Sequence, residues 1–216
     1  KRHLLAKQAC TRIEGIPLGV AARAHLVQAT VVPRILFDSS ITPMSKRKRN
    51  SWRANAARAA WGGGSRFRSN EMLFTLLCKG HGSDPLQAEA YRALNTARRM
   101  LMKHAATRDA WQWVWTEATG PRPRRIVAGP VRQVLRQAKA LNLQMTDAFK
   151  LESTDGEVLN LLEPEEGLFQ HSIREFLRKE LWRQLAHRRP TEYQGIELPH
   201  TEVDREATLA LHGKVR

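Results

Sequence analysis

The sequence predicts a mainly α fold, a bundle of about six to seven helices with one short β-hairpin near 148–161. Three observations predict it. Apolar residues recur at steps of three and four through most of the 216 residues. Helix start and stop residues bracket these runs: Ser45 before one and Gly62-Gly63-Gly64 after it, Asp84-Pro85 and Gly129-Pro130 ahead of two more. Strand-like sequence is confined to 148–161, around the turn Ser153-Thr154-Asp155-Gly156.

Lys1 to Arg12, with Leu4, Leu5, Lys7 and Gln8, reads as the end of a helix whose beginning lies upstream of Lys1. Gly15-Ile16-Pro17 breaks it. Leu18, Ala22, Leu26 and Thr30 then follow at steps of four, with Val27 and Val31 beside them, and predict a helix buried on that side up to the breaker Pro33. Ser45 can cap a very basic helix that opens Lys46-Arg47-Lys48-Arg49, continues through Trp52, Arg53, Arg58 and Trp61, and stops at the glycines. Ser69 can cap a short helix with Glu71 in its first turn and Met72, Leu73, Leu76 and Leu77 on its apolar side, closed by Gly80. His81 falls in the loop that follows, where a histidine is usually structural or solvent-facing.

Asp84-Pro85-Leu86-Gln87 combines an N-cap, a proline at the first helical position and a Gln able to close a capping box. The helix it starts keeps Leu86, Ala90, Leu94, Ala97, Leu101 and His104 on one face, with Arg92, Arg98, Arg99 and Lys103 mostly elsewhere, on a solvated surface or against phosphate. Thr107 can open the next helix, where Trp111 and Trp115 share a face and Trp113 does not. Tryptophans so placed belong more often to a core than to a base-stacking surface. Gly120-Pro121-Arg122-Pro123-Arg124-Arg125 is a basic linker incompatible with helix. Pro130 opens a helix with Val131, Val134, Leu135, Ala138 and Leu141 inside and Arg132, Arg136 and Lys139 outside, ending near Asn142. After the hairpin, Pro164-Glu165-Glu166 places carboxylates at the favourable end of a long helix. Phe169, Ile173, Phe176, Leu177, Leu181 and Leu185 form its buried face, and Arg188-Arg189-Pro190 ends it. A peripheral tail follows, with Asp204 as a cap for Ala207 to Leu211.

Hydrophobic residues at 42% and charged residues at 26% are ordinary globular values, but the net charge of +15 is not. Residues 1–70 carry +12, residues 71–145 carry +7 and residues 146–216 carry −4. A basic body with a mildly acidic end points to a polyanionic partner, nucleic acid first and anionic membrane second. Cys10 and Cys78 are too few for a disulfide framework and lack zinc-site spacing, which fits a reducing intracellular compartment, with the nucleus among the options. No run of eighteen apolar residues marks a transmembrane segment, and no signal peptide, Gly-rich phosphate loop, Ser/His/Asp set or HExxH motif is present.

The basic helix concentrates the charge. Cations at its N-terminus sit where the helix dipole is already positive, so an anion should compensate, and a phosphate backbone would do so. Lys46, Arg47, Lys48, Arg49, Arg53 and Arg58 are the candidate phosphate contacts. The competing readings are a solvated basic face, a nuclear-localisation run, or a helical interaction module that docks an acidic protein or an anionic membrane.

The order Pro17-Leu18, Val32-Pro33-Arg34-Ile35-Leu36-Phe37, Pro43 and Trp61-Gly62 resembles the region that follows the polymerase palm in non-LTR (LINE-type) retrotransposon reverse transcriptases. Gly80-His81-Gly82-Ser83-Asp84-Pro85, Asp155-Gly156, His171-Ser172-Ile173-Arg174, Arg188-Arg189 and Gly195-Ile196 extend the resemblance over most of the chain. Two positions depart from the family pattern: Pro17-Leu18 inverts the usual order, and Phe37-Asp38 stands where Tyr-Gly is common. The resemblance implies a thumb and connector. Residues 1–70 would hold the palm-to-thumb transition and the basic thumb-like helices, 71–145 a helical connector, and 146–216 the hairpin, the long last helix and the tail. It implies a template–primer duplex, an RNA–DNA hybrid or DNA duplex, as partner, gripped beside a palm of the same polypeptide. The RNA-directed DNA polymerase activity of such a parent protein needs paired aspartates holding a divalent metal such as Mg. The sequence has no Asp-Asp pair, so catalysis and the metal cofactor are expected to belong to the palm, not to these residues.

Overall fold

The computed structural model describes residues 2–37, 39–63, 70–78, 82–121 and 129–188. The turn at Asp38, the Ser69 cap, the Gly80 stop, His81, the linker arginines and the tail after Arg188 lie outside them. The fold is mainly α with one small antiparallel sheet, as the periodicity predicts. Two compact units divide the chain: Lys1–Phe37 with Ser45–Ala88 and Arg178–Arg216, and Asp38–Met44 with Glu89–Leu177. Two of these limits, after Ala88 and after Leu177, fall inside long helices, and none coincides with the expected spans 1–70, 71–145 and 146–216.

In the first unit, α1 (Arg2–Gly15) buries Ala6, Cys10 and Ile13, one per turn, while Leu4 and Leu5 are exposed. The next helical run is α2 (Val20–Leu26), a π-helical turn (Val27–Val31) and α3 (Val32–Ile35). Its buried face is Val20, Arg23, Ala24, Val27, Val31 and Val32, not the expected row, in which Leu18 and Ala22 are exposed and Leu26 and Thr30 half-buried. The buried stripe includes Arg23, which apolar spacing does not count, so the expected row lies to one side of it. Nor does Pro33 end it. The preceding π turn has already shifted the hydrogen-bond register, so a residue without an N–H is accommodated at the start of α3, and Leu36 N donates to Val32 O at 3.0 Å beyond it.

The basic helix α4 (Lys46–Trp61) starts and stops as expected: Ser45 Oγ accepts from Lys48 N, and Gly62 adopts the left-handed conformation (φ 85°) that a side chain resists. Ala56, Ala57, Ala59 and Ala60 line its buried side and let it pack closely on α1 and α2. Helical turns α5 (Asn70–Met72) and Leu73–Leu77 bury Leu73 and Phe74.

The second unit contains most of α6 (Pro85–Lys103), with α7 (Ala105–Thr119), α8 (Pro130–Ala140) and the first half of α9 (Glu166–Arg188). Leu94, Leu101, Val134, Leu151, Leu161, Phe169, Ile173 and Leu177 form its core. Trp111 belongs to that core and donates from Nε1 to Ala148 O at 2.7 Å, whereas Trp113 is exposed. α8 ends with Asn142 at φ 57°, a conformation that asparagine tolerates. The expected hairpin is β2 (Lys150–Ser153) with β3 (Val158–Asn160), closed at the predicted turn by Gly156 N to Ser153 O at 3.0 Å. A further strand, β1 (Leu143–Met145), pairs antiparallel with β2 and completes a three-stranded sheet in the order β1-β2-β3. Three residues are too few to show an alternation that sequence reading can separate from a helix end. Among the described residues, no helix is long and apolar enough to cross a membrane.

Candidate nucleic-acid interface

The six cations proposed for phosphate contact divide into distinct environments. Lys46, Arg47 and Lys48, on the first turn of α4, are exposed, and among the described residues no carboxylate pairs with them. Arg49, next along the helix, is half-buried.

Arg53 does not reach the surface. Its Nε donates to Asp84 Oδ2 at 3.0 Å, its Nη2 lies 3.0 Å from the same oxygen, and Nη1 donates to Glu71 Oε1 at 3.1 Å. All three side chains are buried, and the guanidinium stands over the Phe74 ring. The charge of Arg53 is therefore spent inside the protein, and it is withdrawn as a phosphate contact. Helical periodicity explains why: Arg53 is one position from Trp52 and three from Ala56, all on the buried stripe. Burial pushes the Asp84 carboxyl above its usual value, against the pull of Arg53. Asp84 also caps α6 as expected, accepting from Leu86 N at 2.9 Å. Arg58 is half-exposed and pairs with Glu14 at 3.1 Å, so its charge too has a partner within the chain.

The exposed cations of α4 meet a feature that sequence reading did not assemble. An open groove of about 740 Å³ runs between α1 and α4, and Lys7, Arg47 and Lys48 bring positive charge to it from both helices. Ser51 and Asn55 add polar groups on the α4 side, and none of the lining residues is acidic. At one end His3 stacks on Trp52, ring centroids 5.6 Å apart and planes inclined by 21°. That offset geometry is favourable for aromatic pairs. Trp52 is nearly buried and His3 is exposed, so the pair has an anchored ring and an outer one. The signal for the α1 half was present as His3 and Lys7 four residues apart, the spacing of one helical face.

Other cations are committed elsewhere. Arg98 is buried and donates to Glu163 O and Pro164 O at 2.9 and 2.8 Å, and Arg99 pairs with Glu166 at 3.0 Å. Two of the arginines of α6 that could have met phosphate, Arg98 and Arg99, thus hold the loop ahead of α9 and its first residue. Cys10 is buried, and burial pushes its thiol up to about 11, so it is protonated and a poor nucleophile at neutral pH. Among the described residues, no group of three or more His, Cys, Asp or Glu side chains is placed to share a metal ion. No protein-family model, curated protein or solved structure matches the chain, so its likeness to reverse transcriptases rests on the motif residues alone.

Proposed function

We propose that the chain is a nucleic-acid-binding module, the thumb and connector of a non-LTR retrotransposon reverse transcriptase, which holds a template–primer duplex by its phosphates. The observation that carries this reading is the exposed trio Lys46, Arg47 and Lys48, which no carboxylate pairs among the described residues, with Arg47 and Lys48 facing Lys7 across the α1–α4 groove. Four cations from two packed helices form a fixed basic surface in the most basic third of the chain, and such a surface suits a polyanion of regular spacing. Phosphate contacts of this kind set position and carry no base readout. The palm would supply catalysis and its divalent metal.

Counterion release provides the test. For duplex DNA, log K against log salt changes by about −0.9 per phosphate contact, so Arg47→Ala with Lys48→Ala should flatten the slope by about 2 units. The matched control is Arg132→Ala with Lys139→Ala, which removes the same charge from exposed positions on α8. Equal flattening by both pairs would mean diffuse attraction to a basic protein and would end the assignment to α4.

A further inference from the structure

The groove between α1 and α4 has an aromatic end, and phosphate recognition gives that end no task. Lys7, Arg47 and Lys48 suffice for backbone contacts, and a base-paired duplex offers a protein its phosphates and groove edges, with its base faces covered by their neighbours. A ring is useful to a nucleic acid only where a base has left its own stack. Here the ring is prepared. Trp52 is held by the body of the protein at 9% exposure, and the exposed His3 lies over it in offset-stacked geometry. A volume of about 740 Å³ lies within the range of roughly 300–1,000 Å³ typical of small-molecule sites. Ser51 and Asn55, which line the groove with the cations, offer hydroxyl and amide groups to a sugar or base edge.

We infer that this groove is a subsite for an unpaired nucleotide, whose base stacks on the outer ring of the His3–Trp52 pair while Lys7, Arg47 and Lys48 hold its flanking phosphates. The inference rests on the nucleic-acid reading above and deepens it, because it adds an unpaired nucleotide, next to the duplex, to what the same cations hold. Base stacking is tolerant of sequence, so the subsite should accept any base with a modest preference for those that stack best.

The test uses the full chain and two labelled probes, an oligothymidylate of about twelve nucleotides and a DNA duplex with the same number of phosphates, at one salt concentration. His3→Ala should weaken the oligothymidylate complex about tenfold, the loss of one base–aromatic stack, and leave the duplex complex within about twofold. His3→Phe, which keeps a ring and can carry no charge, should restore single-strand binding and so separates stacking from charge and from misfolding. If His3→Ala leaves oligothymidylate binding unchanged, weakens both probes alike, or is not rescued by His3→Phe, the base subsite is wrong while the phosphate grip stands. If the unaltered chain binds neither probe, the nucleic-acid reading and the subsite fall together.

Discussion

Arg53 shows how one position changes the reading of a whole helix. It shares the basic α4 with the exposed Arg47 and Lys48, yet its guanidinium is enclosed by Asp84, Glu71 and the Phe74 ring. Removing it would leave the buried Asp84 carboxylate without its cation, which costs about 3–5 kcal/mol, whereas Arg47→Ala on the surface should stay within about 0.5 kcal/mol in urea denaturation. Equal losses for the two variants would contradict the buried triad. Any loss of nucleic-acid binding by Arg53→Ala would then report unfolding, not a missing phosphate contact. Asp84 adds a dependence on pH. Its folded-state value is raised by burial, so the folded chain holds the proton more tightly than the unfolded one. Its contribution to stability is complete below the unfolded value of about 3.9 and is lost as pH rises through the folded value. Asp84→Asn keeps a capping oxygen and removes the titration. Its urea midpoint relative to the unaltered chain should therefore rise between about pH 4 and pH 7. A constant difference across that range would exclude Asp84 as the source.

Among the elements, α4 depends at its end on a residue from another helix. The fully buried Arg23 of α2 donates from Nε to Ala60 O at 3.0 Å and from Nη2 to Trp61 O at 2.5 Å, and its Nη1 reaches Ile16 O at 3.4 Å. Carbonyls at a helix C-terminus lack intrahelical donors and carry the negative end of the dipole, so a guanidinium there satisfies both hydrogen bonds and charge. The burial of an arginine in an otherwise apolar helix face has its cause in that arrangement. Arg23→Met should lower stability by about 2–4 kcal/mol, since the variant leaves buried carbonyls without donors. Amide hydrogen exchange in the last turn of α4 should accelerate with it, because that turn loses its clamp. The exposed Arg34→Met should do neither. Unchanged exchange at Trp61 and Gly62 in the Arg23 variant would show that the clamp is dispensable.

At the scale of the molecule, charge is concentrated in one part of the chain. The excess of +12 in residues 1–70 coincides with the segment that supplies both α1 and α4, so the basic composition becomes a surface where these two helices pack. Polymerisation would require paired carboxylates for a divalent metal, and the sequence has no two adjacent aspartates. The chain alone should therefore incorporate no nucleotide on any primed template with Mg or Mn. Incorporation above a protein-free control would overturn the proposed division between a thumb-like module and a separate palm.

Local chemistry was enough to read much of this architecture. Ser45 and Gly62 delimit α4, Asp84-Pro85 starts α6, Asn142 follows α8 and the Ser153–Gly156 turn closes the hairpin, because caps and turns are satisfied by residues a few positions apart. The apolar rows of α8 and α9 were legible for the same reason, as apolar residues repeat on one face, whereas Gln133 and Gln137 of α8 and Glu180 of α9 are buried without an apolar signal. Tertiary structure decided the rest wherever a charge met a distant partner. Arg23 lies 37 residues from Ala60, and Arg53 lies 18 from Glu71 and 31 from Asp84. A sequence pattern assigns such arginines to solvent, since the groups that offset their desolvation appear only when the helices pack. The groove has the same origin. His3 and Lys7 are unremarkable on α1, and Trp52 and Arg47 were visible on α4, but their juxtaposition exists only because the alanine face of α4 brings the two helices together.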